Sequence, residues 1–155
     1  MFKLLTTTIA MAIISSSVYA VDYSQRDRVI KVARAIAGEI TPEELNEMLE
    51  DGKDVIVLDI REIEQRFEGT IPTMDKYEVT RGQIEFKIMK MVPNKDAYIV
   101  AFCRGGPRGA LAAKTLRELG YKNATNLKGG LKAWAKAGYP VKTGLGLTVI
   151  TEDEF

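Results

Sequence analysis

Two short apolar runs set the strongest limit on how this chain can fold. Asp54-Val55-Ile56-Val57-Leu58-Asp59 and Ala97-Tyr98-Ile99-Val100-Ala101-Phe102 are apolar at consecutive positions rather than at every second one. A half-solvated strand alternates apolar with polar residues, so runs of this kind predict strands covered on both faces, as in a parallel sheet. Helical patterns lie before, between and after them. Residues 24–37 place Val29, Val32, Ala33, Ile36 and Ala37 on one helical face, and Gly38 ends that stretch. Thr41-Pro42-Glu43-Glu44 combines an N-cap, a proline at the first helical position and a glutamate that closes a capping box. The helix it opens turns Leu45, Met48 and Leu49 inward and stops near Gly52. Residues 83–91 read as a helix with Ile84, Ile88 and Met91 on one side, and 107–119 as another with Gly120 just past its end. A weaker strand over 124–127, a Gly129-Gly130 turn and a helix through Ala137 complete the alternation. The segment 62–81 is irregular and is expected to hold one poorly signalled strand. Residues 140–155 show no period and are expected to be a surface tail. The fold class is therefore α/β: a central, mostly parallel sheet with helices on both faces. In such folds ligands sit at the carboxyl ends of the strands.

The first twenty residues carry a different signal. Lys3 gives a positive start, Leu4 to Ile14 is apolar-leaning, and Ser15-Ser16-Ser17-Val18-Tyr19-Ala20 is a small-residue end with Val18 and Ala20 at −3 and −1 of a cut. This is the tripartite pattern of a secretory signal peptide, and its apolar part is far shorter than the ~20 residues a membrane span needs. The expectation is cleavage after Ala20 and an exported, periplasmic chain with no stable membrane insertion once the signal is removed.

Composition then narrows the chemistry. Lys+Arg 22 against Asp+Glu 21 leaves a formal charge of +1, so no global field draws the chain to nucleic acid. With His 0 there is no Ser-His-Asp triad, no Cys-His dyad, no HExxH zinc site and no histidine switch. Cys 1 excludes CxxC redox motifs, clustered-cysteine metal sites and an internal disulfide. Neither a metal nor a cofactor is expected. Chemistry must run on one thiol, carboxylates, cations and backbone amides.

That thiol sits where a ligand is expected. Cys103 directly follows the second buried run and opens the segment Cys103-Arg104-Gly105-Gly106-Pro107-Arg108-Gly109 ahead of a helix. Gly105 and Gly106 let a tight loop turn amide N–H groups toward one centre. The following helix aims its unpaired N–H groups and positive dipole end at the same place. Arg104 and Arg108 add cations suited to anionic oxygens. Together these favour a thiolate nucleophile. An inert core cysteine is the competing reading, yet such residues do not usually open a Gly-Gly loop between two arginines. The catalytic reading requires the sulfur to be ionised and exposed inside a collar of inward-facing amides.

These residues resemble the active-site loop of the rhodanese sulfurtransferase family. The likeness runs from Ile40-Thr41-Pro42-Glu43-Glu44-Leu45 through Val57-Leu58-Asp59-Ile60-Arg61-Glu62 to Cys103-Arg104-Gly105-Gly106-Pro107-Arg108, and on through Leu119-Gly120-Tyr121-Lys122-Asn123, Asn126-Leu127-Lys128-Gly129-Gly130 and Trp134 to Ala137-Gly138-Tyr139-Pro140-Val141. The resemblance implies one rhodanese-like domain (40–142); outside it lie the signal peptide (1–20), an N-terminal helical extension (21–39) and a C-terminal tail (143–155). It also implies a function: sulfane sulfur moves from thiosulfate or a similar small anionic donor to a thiol or cyanide-like acceptor through a Cys103 persulfide. Arg104, Gly105, Gly106, Arg108 and Gly109 would bind substrate, while Asp59 and Arg61 would brace the loop. Related folds with a Cys-x5-Arg loop handle phosphate or arsenate. Here the spacing from Cys103 to Arg108 is Cys-x4-Arg, which suits a single sulfur. Trp134 is expected to pack the final helix. Two departures stand out: Gly69-Thr70-Ile71 where many members have Gly-His-Ile, and Pro107, which removes one amide from the cradle. The alternative reading is a non-enzymatic sulfur-relay or anion-binding module that hands its cargo to a protein partner through the helix at 24–37.

Overall fold

In the computed structural model, which describes residues 21–75 and 77–149, helices and strands alternate along the chain. The order is α1 (Ser24–Ala37), β1 (Glu39–Ile40), α2 (Pro42–Glu50), β2 (Val55–Asp59), a 3-10 segment Ile63–Glu68, β3 (Tyr77–Glu78), a 3-10 turn Arg81–Gln83 and α3 (Ile84–Met91). There follow β4 (Tyr98–Phe102), α4 (Pro107–Glu118), β5 (Asn123–Leu127), α5 (Gly130–Lys136), β6 (Val141–Thr143) and β7 (Gly146–Thr148). Five strands form one sheet in the order β1-β5-β4-β2-β3, and every pair in it is parallel. The two apolar runs are the adjacent central strands β4 and β2, in register from Val55 opposite Tyr98 to Asp59 opposite Phe102.

Side chains leave successive strand residues on opposite faces, and the core divides accordingly. Leu58, Ile99 and Ala101 pack with Ile84, Ile88, Ala112, Ala113 and Leu116 on the side covered by α3 and α4. Val57, Val100 and Phe102 pack with Leu45, Leu131 and Trp134 on the side covered by α2 and α5. The capping box at Thr41 forms as the sequence predicts: its hydroxyl accepts from the Glu44 amide at 3.2 Å, and the Glu44 carboxylate accepts from the Thr41 amide at 2.7 Å.

Several local expectations change. The α1 helix has the predicted bounds but turns a different face inward: Ala33 and Ala37 are buried, while Val29, Val32 and Ile36 are about half exposed. This helix packs mainly on α4, and small alanines allow that close seam where β-branched residues would hold the helices apart. The two-residue strand β1, unforeseen in the sequence, pairs with β5 at Glu39–Asn126 and Ile40–Leu127. The weak strand within 62–81 is β3, also two residues long. From residue 141 the chain is not an irregular tail but an antiparallel hairpin of β6 and β7, anchored by a bridge between Thr70 and Lys142. The signal-peptide assignment, residues 1–20, and the acidic end from residue 150 lie outside the described residues.

Candidate active site

The parallel register brings β2, β4 and β5 to one sheet edge with their carboxyl ends together. Past Phe102, Cys103 continues the alternation of β4 and falls on the α3/α4 side, where it joins the apolar cluster. The chain then turns through Arg104 and Gly105 to Gly106, the N-cap of α4, whose φ is 101°. The Gly106 amide donates to the Cys103 sulfur at 3.1 Å.

The rest of the loop is oriented from behind. The Cys103 carbonyl accepts from the Leu131 amide at 2.9 Å and the Arg104 carbonyl from the Lys132 amide at 3.0 Å. These donors belong to the first turn of α5, whose amides have no acceptor within their own helix. In a trans peptide the N–H points opposite to the C=O, so drawing these two carbonyls to α5 turns the Arg104 and Gly105 amides away from it. At the start of α4, the amides of Arg108 and Gly109 have no acceptor within the helix, and Pro107 contributes none. The result is a loop with carbonyls on its α5 side and a positive helix end beside the sulfur.

Two glycines make this arrangement possible. Gly130 has φ 63°, and a Cβ there would stand 2.3 Å from the Cys103 carbonyl oxygen and 2.8 Å from the Gly106 nitrogen. Only a residue without a side chain lets α5 press this closely under the loop. Gly109 is buried, and a Cβ on it would fall 2.2 Å from Asn126 Oδ1 and 3.1 Å from the Ala101 carbonyl oxygen, so α4 crosses close over the sheet there. Gly109 thus has a packing duty beyond the amide it offers.

The sulfur itself does not meet the expectation of exposure: of the two conditions set for its surroundings, an inward-facing amide is present and exposure is not. Cys103 is 1% exposed, its sulfur backed by the α3/α4-side cluster with an amide directed at it. Burial follows from the strand alternation, which carries the residue after β4 into the core face before the loop lifts away.

Asp59 and Arg61 end the neighbouring strand as a buried pair. The Arg61 guanidinium is fully buried and grips Asp59 as a fork, Nε to Oδ1 at 3.0 Å and Nη2 to Oδ2 at 2.6 Å. It also donates to the Gln65 carbonyl at 2.9 Å and the Gly69 carbonyl at 2.7 Å, and lies over the Phe102 ring. A buried guanidinium is tolerable only when its donors are matched in this way. The irregular segment 62–69 is therefore a wrapper around one side chain. Glu68, in that wrapper, lies 3.8 Å from Arg61 Nη1 and accepts from Arg104 Nε at 2.8 Å. Alternating charges thus run from the end of β2 to the loop: Asp59, Arg61, Glu68, Arg104. Arg108, half-buried on the first turn of α4, has no hydrogen-bond or ion-pair partner among the described residues.

Cys103, Arg104, Gly105, Gly106, Arg108 and Gly109 are thus gathered in one loop, with Asp59 and Arg61 connected to it through Glu68. Trp134 lies elsewhere: 1% exposed in the opposite core, it donates to the Pro140 carbonyl at 2.8 Å and meets the Tyr139 ring at 4.8 Å. Thr70 exchanges backbone hydrogen bonds with Lys142, at 2.9 and 2.8 Å, which fastens the hairpin to the wrapper. Sequence reasoning missed Glu68 and Gly130. The first lay in a stretch without period. The second was legible as a glycine pair at the end of a strand, whose loop in a parallel sheet must meet the loop after β4.

Comparison with known proteins matches a stretch of chain that includes this loop. Residues 41–137 match the family model described as a rhodanese-like domain. A sulfurtransferase from Allochromatium vinosum is 36% identical over 106 residues, covering 68% of this chain and 95% of the relative. A thiosulfate sulfurtransferase from Haemophilus influenzae is 30% identical over 105 residues, covering 68% and 94% respectively. Among solved structures, a Rhodopseudomonas palustris protein described as a possible tyrosine phosphatase superposes with a TM-score of 0.68 at 31% identity, covering 74% of this chain and 92% of that one.

Proposed function

The chain belongs to the rhodanese-like domain family, and from that membership we propose that it is an exported thiosulfate sulfurtransferase working through a persulfide on Cys103. The Cys103 thiolate attacks the outer sulfur of thiosulfate. A sulfur–sulfur bond forms to Cys103 as the bond to the sulfonate sulfur breaks, and sulfite leaves with that electron pair. The product, Cys103–S–S⁻, carries one negative charge at the loop centre. A thiophilic acceptor such as cyanide then attacks the outer sulfur, leaves as thiocyanate and returns the thiolate. Neither step moves a proton, which agrees with a chain containing His 0.

The observation that carries this reading is the Gly106 amide 3.1 Å from the Cys103 sulfur, in a loop whose neighbouring carbonyls are held away by α5. Donors fixed in advance stabilise a developing anion without having to reorganise, as an oxyanion hole does. Arg108, without a partner among the described residues, is the cation left available to orient the anionic donor, while Arg104 shares its charge with Glu68. Asp59, Arg61 and Glu68 brace the loop. The Cys-x4-Arg spacing favours a single sulfur over a phosphoryl group, so the phosphatase description of the structural relative is not carried over. The signal pattern supports a periplasmic site of action.

The test is a thiosulfate:cyanide assay on wild type and Cys103→Ser, with intact mass measured after thiosulfate treatment. Wild type should gain about 32 Da, lost again on adding dithiothreitol. The variant should neither gain mass nor form thiocyanate while its circular dichroism stays unchanged. Turnover by the folded variant would exclude the persulfide route. Wild type that takes up sulfur but never turns over would favour the relay module.

A further inference from the structure

Helix α1 lies outside the family match at 41–137, and its charge is segregated from the rest of the molecule. It carries Arg26, Arg28, Lys31 and Arg34 against Asp27 alone, in a chain whose formal charge is +1. The helix packs on α4 through Ala33 and Ala37. On one flank of that seam a groove of about 550 Å³ runs between Arg26, Asp27, Ile30, Lys31 and Arg34 of α1 and Pro107 of the Cys103 loop. Arg26 is paired to Asp27 at 2.7 Å and lies over the Tyr23 ring, and Arg34 is paired to Glu39 at 3.3 Å. Lys31 has no partner among the described residues, nor has Arg108, which follows Pro107 at the groove's far wall.

Resting on the sulfur-transfer reading above, we propose that this groove docks an acidic segment of the protein that accepts sulfur from Cys103. Three features select such an occupant. The groove's charge is net positive, and Lys31 within it has no partner among the described residues. The lining cations span Arg26 to Arg34, about 12 Å along a helix rising 1.5 Å per residue, the length of roughly four extended residues and far more than one small anion needs. Finally, Pro107 belongs both to the groove and to the Cys103–Gly109 segment, so a segment seated here reaches the stretch of chain that carries the thiol. Cys103, 1% exposed, is reached only by a slender group, such as a cysteine at the end of a flexible stretch.

The probe is a fluorescein-labelled peptide of six glutamates with a Gly-Gly-Cys end, compared with its glutamine counterpart on the full chain. Two charge reversals on the same helix separate groove from field. Lys31→Glu alters a groove residue, whereas Arg28→Glu makes the same change in net charge outside the groove. Anisotropy, with the peptide cysteine blocked, should show the glutamate peptide binding wild type, with Lys31→Glu weakening it about threefold to tenfold and Arg28→Glu much less. With the cysteine free, the glutamate peptide should accept sulfur at a lower KM than the glutamine one, and Lys31→Glu should erase that difference while cyanide turnover stays unchanged. Equal effects of both reversals, no preference between peptides, or binding to anionic phosphatidylglycerol vesicles in place of the peptide would overturn the docking groove. A wild type with no cyanide turnover would instead overturn the sulfurtransferase reading, which the blocked-peptide binding does not depend on.

Discussion

Gly130 sits at φ 63° with the Cys103 and Arg104 carbonyls and the Gly106 amide closing around its Cα. Alanine there meets a backbone angle that L residues resist and overlaps a carbonyl that cannot move without shifting the thiol. Gly130→Ala is expected to destabilise the fold by about 2–4 kcal/mol and to lower thiocyanate formation roughly tenfold to a hundredfold through misplacement of the sulfur. Urea denaturation and the cyanide assay read the two effects separately, and lost stability with unchanged turnover would uncouple the loop from α5. At this scale the candidate site was largely legible. A single cysteine between an apolar strand and a Gly-Gly helix start left little choice of candidate nucleophile. What the chain could not announce was partnership at a distance. Glu68 and Arg104 are far apart in sequence, and nothing local marks the pair.

At the scale of elements, legibility followed the number of residues that share a pattern. The strands β2 and β4 and the helices α2, α3 and α4 each repeat a signal over several positions. β1, β3, β6 and β7 are two or three residues long, held by strands or loops contributed from elsewhere. The α1 bounds were readable from its period, but which side turned inward depended on the surface of α4. The capping box of α2 is the local signal most directly open to test. Thr41→Ala removes the acceptor of the Glu44 amide and should lower stability by about 1 kcal/mol. The urea midpoint should fall with an unchanged m-value, and sulfur transfer should be unaffected because the hydrogen bonds of Thr41, to the Glu44 amide and carboxylate and the Leu45 amide, all stay within α2 and its cap.

For the molecule as a whole, one sheet divides two cores, and neither is complete without it. Trp134 reports the α2/α5 side, where it is the chain's Trp 1, and far-UV circular dichroism reports helices of both sides. Because β2 and β4 supply alternate residues to each core, the two signals should trace a single urea transition. An earlier fluorescence change would mean that the α2/α5 layer detaches by itself. The same architecture bears on how substrate is received. With α5 already holding the Cys103 and Arg104 carbonyls, the loop stands assembled ahead of any encounter, and on the proposed persulfide route loading demands almost no loss of chain freedom. Uptake of sulfur should then behave as a lock that is cut before the key arrives, its pace set by diffusion and bond exchange rather than by folding of the receptor around its guest.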